Sequence, residues 1–276
     1  MRPARMVGVI GLVILTTECG GRSPTQPSEP PAMRVEVVGP VAVFTSTSTN
    51  YSLVAMLADG STRTVPSTWI SSDPAVATID NNGRVEGRAH GSTTVTASYE
   101  GGSASKLVRV VNNYAGTWVG SYVIRACSDT GELTDHDGGW CAAGLGRVGT
   151  VDGIVLTLVQ GGSDLSEVTG ILGSYRENLT GAVMANGKLS LSGTLIERDF
   201  DDANIVVGTV QLSEWQTMLS GPDDMTGRWS EDLNSLRWRV GTAHTENELL
   251  TMHRTAKAAG ATLSHADHDA LTPNFR

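Results

Sequence analysis

The sequence predicts an all-β chain in which two antiparallel β bodies follow an exported leader. Three observations carry this reading. From Met33 onward, apolar and polar residues alternate with a period of two in one short run after another, the pattern of strands with one buried face. Turn dipeptides such as Asp59-Gly60, Asn82-Gly83 and Asn186-Gly187 separate the runs, at the spacing of about eight to twelve residues found in sandwiches and barrels. Glycines recur inside the later runs, at Gly170, Gly173, Gly181, Gly193 and Gly208, where strongly bent strands use them.

Residues 1–18 open with Arg2 and Arg5 and continue into the apolar run "MVGVIGLVIL", Met6 to Leu15. A helix needs about 20 apolar residues to cross a bilayer, so this run suits the hydrophobic region of an export signal instead. Cys19 follows, alone, ahead of "GGRSPTQPSEPPA". A segment so rich in Pro, Ser and Thr cannot bury enough surface to offset its ordering entropy, so residues 19–32 are expected to form a flexible tether. The placement of Cys19 resembles the lipid-modified first residue of bacterial lipoproteins. That resemblance implies cleavage before Cys19, an acylated thiol and attachment to a membrane through the N-terminal lipid. Gly20, standing where an aspartate resembles an inner-membrane retention signal, points to the outer membrane, with a periplasmic or secreted protein as the alternative. Thr16, Thr17 and Glu18 depart from the usual residues before such a cysteine, which keeps open an ordinary exported chain with a spare thiol.

Residues 33–111 are expected to form the first body. The run Tyr51 to Leu57 reaches the Asp59-Gly60 hairpin turn, Ser72-Asp73-Pro74 makes the next turn, "AVATID" the next strand, and Asn81-Asn82-Gly83 leads into "RVEG". Then "STTVTASY" alternates Val95 and Ala97 with Thr94, Thr96 and Ser98, and "SASKLVRVV" closes the body. Trp69, Ser71 to Pro74, Ala77 to Asp80, Gly83, Val85, Gly87 and Gly91 together resemble the group 2 bacterial immunoglobulin-like domain. The resemblance implies an immunoglobulin-like β-sandwich and an extracytoplasmic structural or adhesive module that acts as a passive spacer or binds directly. Physically, Trp69 is expected to plug the core between the sheets, and Gly83, Gly87 and Gly91 to permit turns that a side chain would strain. Arg88 and His90 stand where small apolar residues are usual and are expected to alter a surface. Six basic residues balance six acidic ones over this stretch.

Residues 112–255 are expected to form the second body. "YAGTWVGSYVI" puts Trp118, Gly120, Tyr122 and Ile124 on one face and Val119, Ser121 and Val123 on the other. "TVDGIVLTLVQ", "LSEVTGILGS" after the Gly161-Gly162-Ser163-Asp164 turn, "NLTGAVMA", "KLSLSGTLIE", "NIVVGTVQLS", "MTGRWSED" and "SLRWRVGTAH" complete about eight strands. Hairpin-linked strands of that number favour a closed antiparallel up-and-down β-barrel, because closure removes exposed edges; an open sandwich is the alternative. The Gly116-x-Trp118 opening resembles that of lipocalin-like barrels. It implies that Trp118 plugs the closed end and that a basic residue of the last strand, Arg237, Arg239 or Arg254, packs over it. An interior of this size is either filled by side chains or holds one small ligand, and the alternation suits both.

With Cys19 assigned to lipid, Cys127 and Cys141 remain as an even pair in an oxidising compartment and are expected to bridge, closing the loop "CSDTGELTDHDGGWC". Two acidic clusters raise the question of a metal: Asp129, Glu132, Asp135, His136 and Asp137 inside that loop, and Glu197, Asp199, Asp201 and Asp202 in "ERDFDDAN". Neither has the ligand order of a calcium loop, and solvated loops with no metal are expected. His265 and His268 fall in residues 256–276, which lack strand periodicity and are expected to be disordered. The second body holds nine basic residues against nineteen acidic, which argues against nucleic acid as a partner. No Gly-x-Ser-x-Gly, His-Glu-x-x-His, phosphate loop or dinucleotide fingerprint is present, and no pair of carboxylates stands out as a hydrolase would need. The expectation is a non-enzymatic cell-envelope binding or adhesion protein without a cofactor, whose head engages a glycan, a small apolar ligand or an envelope protein. A purely structural component and a carboxylate-based hydrolase are the alternatives.

Overall fold

The computed structural model describes residues 32–134, 139–143, 146–173, 178–198, 204–236 and 240–256. The leader, the tether with Cys19, the acidic residues Asp135, Asp137, Asp199, Asp201 and Asp202, the histidines His136, His265 and His268, Arg237, Arg239 and the tail all lie outside them. Apart from a 3₁₀ turn over Gly131–Thr134 and the short helix α1 (Trp140–Ala143), the described elements are strands. The chain is all-β, an immunoglobulin-like region followed by a closed eight-stranded antiparallel barrel.

The first body contains β1 (Ala32–Val38), β2 (Ala42–Phe44), β3 (Ser48–Asn50), β4 (Ser52–Leu57), β5 (Thr62–Val65), β6 (Thr68–Ser71), β7 (Ala77–Ile79), β8 (Arg84–Gly87), β9 (Gly91–Tyr99) and β10 (Gly102–Val111). They form one sheet in the order β1-β4-β5, a second in the order β2-β10-β9-β6, and a small third sheet β3-β8-β7. Alternation places one face of each strand inside. On β9, Thr93, Val95 and Ala97 are buried while the intervening residues face outward, and they meet Val37, Leu53, Ala55, Val65, Val85, Val108 and Val110 in one core.

Trp69 does not plug that core. It is half-buried on β6, an edge strand with a neighbour on one side only, and packs against the rim of the apolar cluster. Tyr51 is buried in the core instead, 3% exposed, its hydroxyl donating to the Pro40 carbonyl at 2.6 Å. Gly83 makes the turn beside it with φ of 78°, and a Cβ there would stand 2.3 Å from the Tyr51 carbonyl oxygen. Only glycine satisfies both the conformation and the approach.

The barrel consists of β11 (Gly116–Asp129), β12 (Val151–Gly161), β13 (Glu167–Leu172), β14 (Leu179–Val183), β15 (Leu189–Arg198), β16 (Val206–Leu219), β17 (Met225–Ser235) and β18 (Gly241–Ala256). Each strand pairs with the next, and β18 closes on β11. The inward residues include Trp118, Leu156, Leu158, Leu179, Leu189, Leu195, Leu212, Trp215, Trp229 and Met252, all 2% exposed or less. Outward positions on the later strands carry Thr194, Gln211, Gln216, Arg228, Asp232, Glu246 and Glu248, with Val206, Met218 and Leu250 exposed among them.

The last strand differs from the expected "SLRWRVGTAH". Leu236 and Val240 are 50% and 60% exposed and belong to the connection between β17 and β18. The eighth strand is the longer run that begins at Gly241 and puts Ala243, Thr245, Asn247, Leu249 and Met252 inside. On β11 the alternation also breaks: Val123 and Ile124 are both buried, next to a register shift against β18.

A second irregularity is a β-bulge on β16. The register with β17 shifts between Ser213 and Gln216, and Glu214 takes a φ of 50°. The extra residue reverses the parity of the strand, so Leu212 and Trp215 both point inward while Glu214 stays outside.

Candidate functional site

The alternating strand directions give the barrel two ends. Strands β11, β13, β15 and β17 start at the floor, beside the immunoglobulin-like body, and end at the mouth, away from it.

The floor is closed and locked to the first body. Ala42 and Val111 of that body join the barrel core beside Tyr114 and Trp118. The Tyr114 hydroxyl donates to the Gly187 carbonyl at 2.7 Å, and burial pushes its pKa up to about 12. Asn112 Nδ2 donates to the same carbonyl at 2.9 Å, and His90 Nε2 meets the Ala185 carbonyl at 3.1 Å. Gly187 has φ of 80°, and a Cβ there would meet both Asn112 and His90 within 3.2 Å. Arg109 of β10 donates to Asp164 at 2.8 Å. Bonds from the Ser166 hydroxyl and amide, and then Arg109, hold that carboxyl down at about 2. Gln160 accepts from the Tyr114 amide and donates to the Asn112 and Leu165 carbonyls, pinning the connection between the bodies. His90, which the sequence placed on a surface, is part of this junction.

Arg254, one of the arginines considered for the floor, lies over the Trp118 ring at 4.5 Å from its centre. Its side chain is 3% exposed and donates to the Ala115, Asn113 and Pro222 carbonyls, with Asp223 at 3.4 Å. The Trp118 indole N–H donates to the Tyr114 carbonyl at 2.9 Å.

Above the floor, Trp215 stacks on Trp229 with centroids 4.7 Å apart, and Tyr122 tilts against Trp229 at 5.0 Å. Toward the mouth the interior turns polar. Asp152 on β12, Glu197 on β15 and Glu231 on β17 share the inward parity of Leu156, Leu195 and Trp229. The Trp229 indole donates to Glu231 Oε1 at 2.8 Å. Burial raises the Glu231 pKa, and Glu197 and Asp152 push it further; burial likewise raises that of Glu197. Glu197 lies over Gly208, its Oε2 3.0 Å from where a Cβ would stand. Thr245 and Asn247 on β18 are each 2% exposed; Asn247 Nδ2 donates to Thr245 Oγ1 at 3.1 Å, and Asn247 Oδ1 is buried with no partner.

A short lid borders the mouth. Cys127 and Cys141 are bonded, with Cα atoms 5.5 Å apart. Asp129 Oδ2 accepts the Cys141 amide at 2.9 Å, and Glu132 Oε2 accepts the Val240 amide at 3.2 Å. These two acidic residues therefore brace backbone. Among the described residues no three His, Cys, Asp or Glu lie close enough to hold a metal ion. On the outer wall, an open groove of about 810 Å³ runs across β16, β17 and β18 between Arg125, Glu214, Arg228 and Glu248; Arg125 and Glu248 pair at 2.5 Å.

Reading the sequence for clusters singled out Glu197 but missed its companions Asp152 and Glu231, which are far apart in the chain. The signal that could have found them is parity: each carboxylate continues the inward register of an apolar strand.

Residues 43–110 match the family described as bacterial Ig-like domain (group 2). Among solved structures, the chain is similar to domains 4-9 of the surface layer protein SbsC, at 15% identity and a TM-score of 0.28, over 79% of this chain and 31% of that one. It is similar to SbsC domains 5-6 at 16% identity and a TM-score of 0.27, over 79% and 97%. A Bacteroides ovatus protein of unknown function follows at 9% identity and a TM-score of 0.20, over 79% and 94%. The chain thus spans under a third of the first of these. No curated protein matches it in sequence.

Proposed function

We propose that this is a non-enzymatic binding or adhesion protein of the bacterial cell envelope, lipid-anchored at Cys19, in which an immunoglobulin-like stalk presents a β-barrel head. The observation that carries the reading is the junction. Arg109–Asp164, Asn112 and His90 against the Ala185–Gly187 turn, and the shared apolar floor fix the head on the stalk, so the polar mouth faces away from the end that bears the tether. Passive spacing alone does not call for a head held in one orientation. The match of residues 43–110 to the bacterial Ig-like family supports the extracytoplasmic setting, and Gly20 after the cysteine supports the outer membrane.

Two measurements test this. Cells expressing the full chain and fed radiolabelled palmitate are expected to yield labelled protein in the membrane fraction, with label lost in Cys19→Ala; unlabelled wild-type protein sinks the anchor. Purified full chain is expected to co-sediment with cell-wall glycan or outer-membrane vesicles, and failure to do so leaves a purely structural component as the better account.

A further inference from the structure

The outer wall of a barrel is convex, yet this one is hollowed on one side. Two irregularities coincide there. One is the β16 bulge at Glu214; the other is the ladder between β17 and β18, which runs from Ser235 opposite Gly241 to Arg228 opposite Glu248 and resumes only at the Asp224–His253 bridge. Bulges bend and twist the strands that carry them. The groove of about 810 Å³ lies across both, within the size range of ligand sites. It reaches from Lys188, beside β15, to Arg125 on β11, a span of about 19 Å at the usual strand spacing, so it suits an extended chain better than a compact small molecule.

Its charged lining is balanced. Arg125, Lys188 and Arg228 stand with Glu214, Glu246 and Glu248, in a chain whose net charge is −9, so the groove favours neither a cation nor an anion. Arg125 and Glu248 pair at 2.5 Å, and Lys188 donates to Gln216 at 3.4 Å. Arg228 faces Gln216 and Glu248 across the sheet. Even so, among the described residues Arg228, Glu214 and Glu246 have no hydrogen-bond or ion-pair partner, and all three are exposed. Free guanidinium donors beside free carboxylate acceptors are matched by groups that both donate and accept, which hydroxyls do. Neighbouring hydroxyls can meet the fork of a guanidinium or the two oxygens of a carboxylate, and they replace the water held there without stranding a charge. The lining also includes Met218, 45% exposed, and Gly227, where a Cβ would stand 2.3 Å from the Gln216 carbonyl oxygen. We propose that this groove binds a neutral oligosaccharide in extended form, its hydroxyls taken by Arg228, Glu214 and Glu246 and the C–H face of a sugar ring resting on Met218.

This inference rests on reading the head as a binding body, and the test separates the two. The full chain is titrated by calorimetry with the neutral sugars maltohexaose, cellohexaose and chitohexaose, with anionic hexagalacturonate, with the cationic glucosamine hexamer of chitosan, and with a neutral Gly-Ser peptide of similar length. At least one neutral sugar binds saturably, and the charged sugars and the peptide bind more weakly or not at all. Arg228→Ala and Glu246→Ala, each removing an exposed side chain that the fold does not use, weaken binding by about tenfold or more, as loss of a charge-assisted hydrogen bond predicts. Thr169→Ala, at an exposed position on β13 outside the groove, leaves it unchanged. Absence of saturable binding by all three neutral sugars up to about 10 mM, binding that neither variant weakens, or tighter binding of a charged sugar or of the peptide overturns the proposal. Co-sedimentation with cell-wall glycan or vesicles that Arg228→Ala and Glu246→Ala both retain overturns this inference alone and leaves the proposed function in place.

Discussion

Arg254 shows how much one side chain holds in place at the residue scale. Its guanidinium covers Trp118, satisfies three backbone carbonyls on either side of the barrel seam, and faces Asp223. Arg254→Ala would remove the cover from the buried Trp118 ring and leave two part-buried carbonyls unpaired, and we expect a loss of about 3 kcal/mol in urea unfolding. Arg254→Lys should recover little of it, because an ammonium cannot span the same carbonyls as a planar fork; a lysine variant as stable as wild type would contradict this account. The sequence reading reached Arg254 only as one of three candidates, since three arginines near the expected last strand look alike until the strand is placed. The interior carboxylates were legible in principle from parity. They form no cluster along the chain, because β-pairing assembles residues that are distant in it.

At the scale of elements, alternation located seven of the eight barrel strands and misplaced the last. "SLRWRVGTAH" alternates as well as any strand, yet its first residue ends β17 and its last four open β18, and alternation is silent about where one strand stops and the next begins. The eighth strand, "GTAHTENELLTMHRTA", carries Thr245 and Asn247 on its inward face and so reads as polar. The bulge at Glu214 was illegible for a related reason: continuing the parity of "NIVVGTVQLS" would send Glu214 and Gln216 inward and Trp215 out. In the stalk, β2 and β3 are three residues each, too short for any period. The Cys127–Cys141 bridge staples the lid to β11, and by loop entropy it should contribute roughly 3 kcal/mol. The double variant Cys127→Ser, Cys141→Ser is expected to lower the denaturant midpoint accordingly, while hydrogen exchange in β12 to β17 stays slow. Uniformly faster exchange across the barrel would show that the bridge holds more than its lid.

For the whole molecule, the prediction concerns orientation. If the junction fixes head on stalk, the two bodies share one alignment tensor in residual dipolar coupling measurements on the full chain. The double variant Asn112→Ala, Asp164→Ala, which removes the bond to Gly187 and the Arg109 ion pair together, is expected to loosen the junction without unfolding either body. Acid should act in the same direction. Asp164 has its folded-state pKa lowered from 3.8 to about 2, so its contribution is complete above the ordinary carboxylate range and is lost as pH falls through about 2. Separate tensors in the wild type at neutral pH would refute a fixed junction. The net charge of −9 keeps the molecule's long-range field attractive to cations, though at physiological salt that field fades within about 8 Å.

An even number of strands in a meander returns the chain to the side where it entered. Since β11 begins and β18 ends at the floor, both chain crossings are spent there, and each strand that reaches the far rim is followed by one that returns from it. Changing the length of the returns at that rim would leave the seam, the Arg254 clasp and the stalk contacts untouched, so the far end can be rebuilt without unseating the barrel.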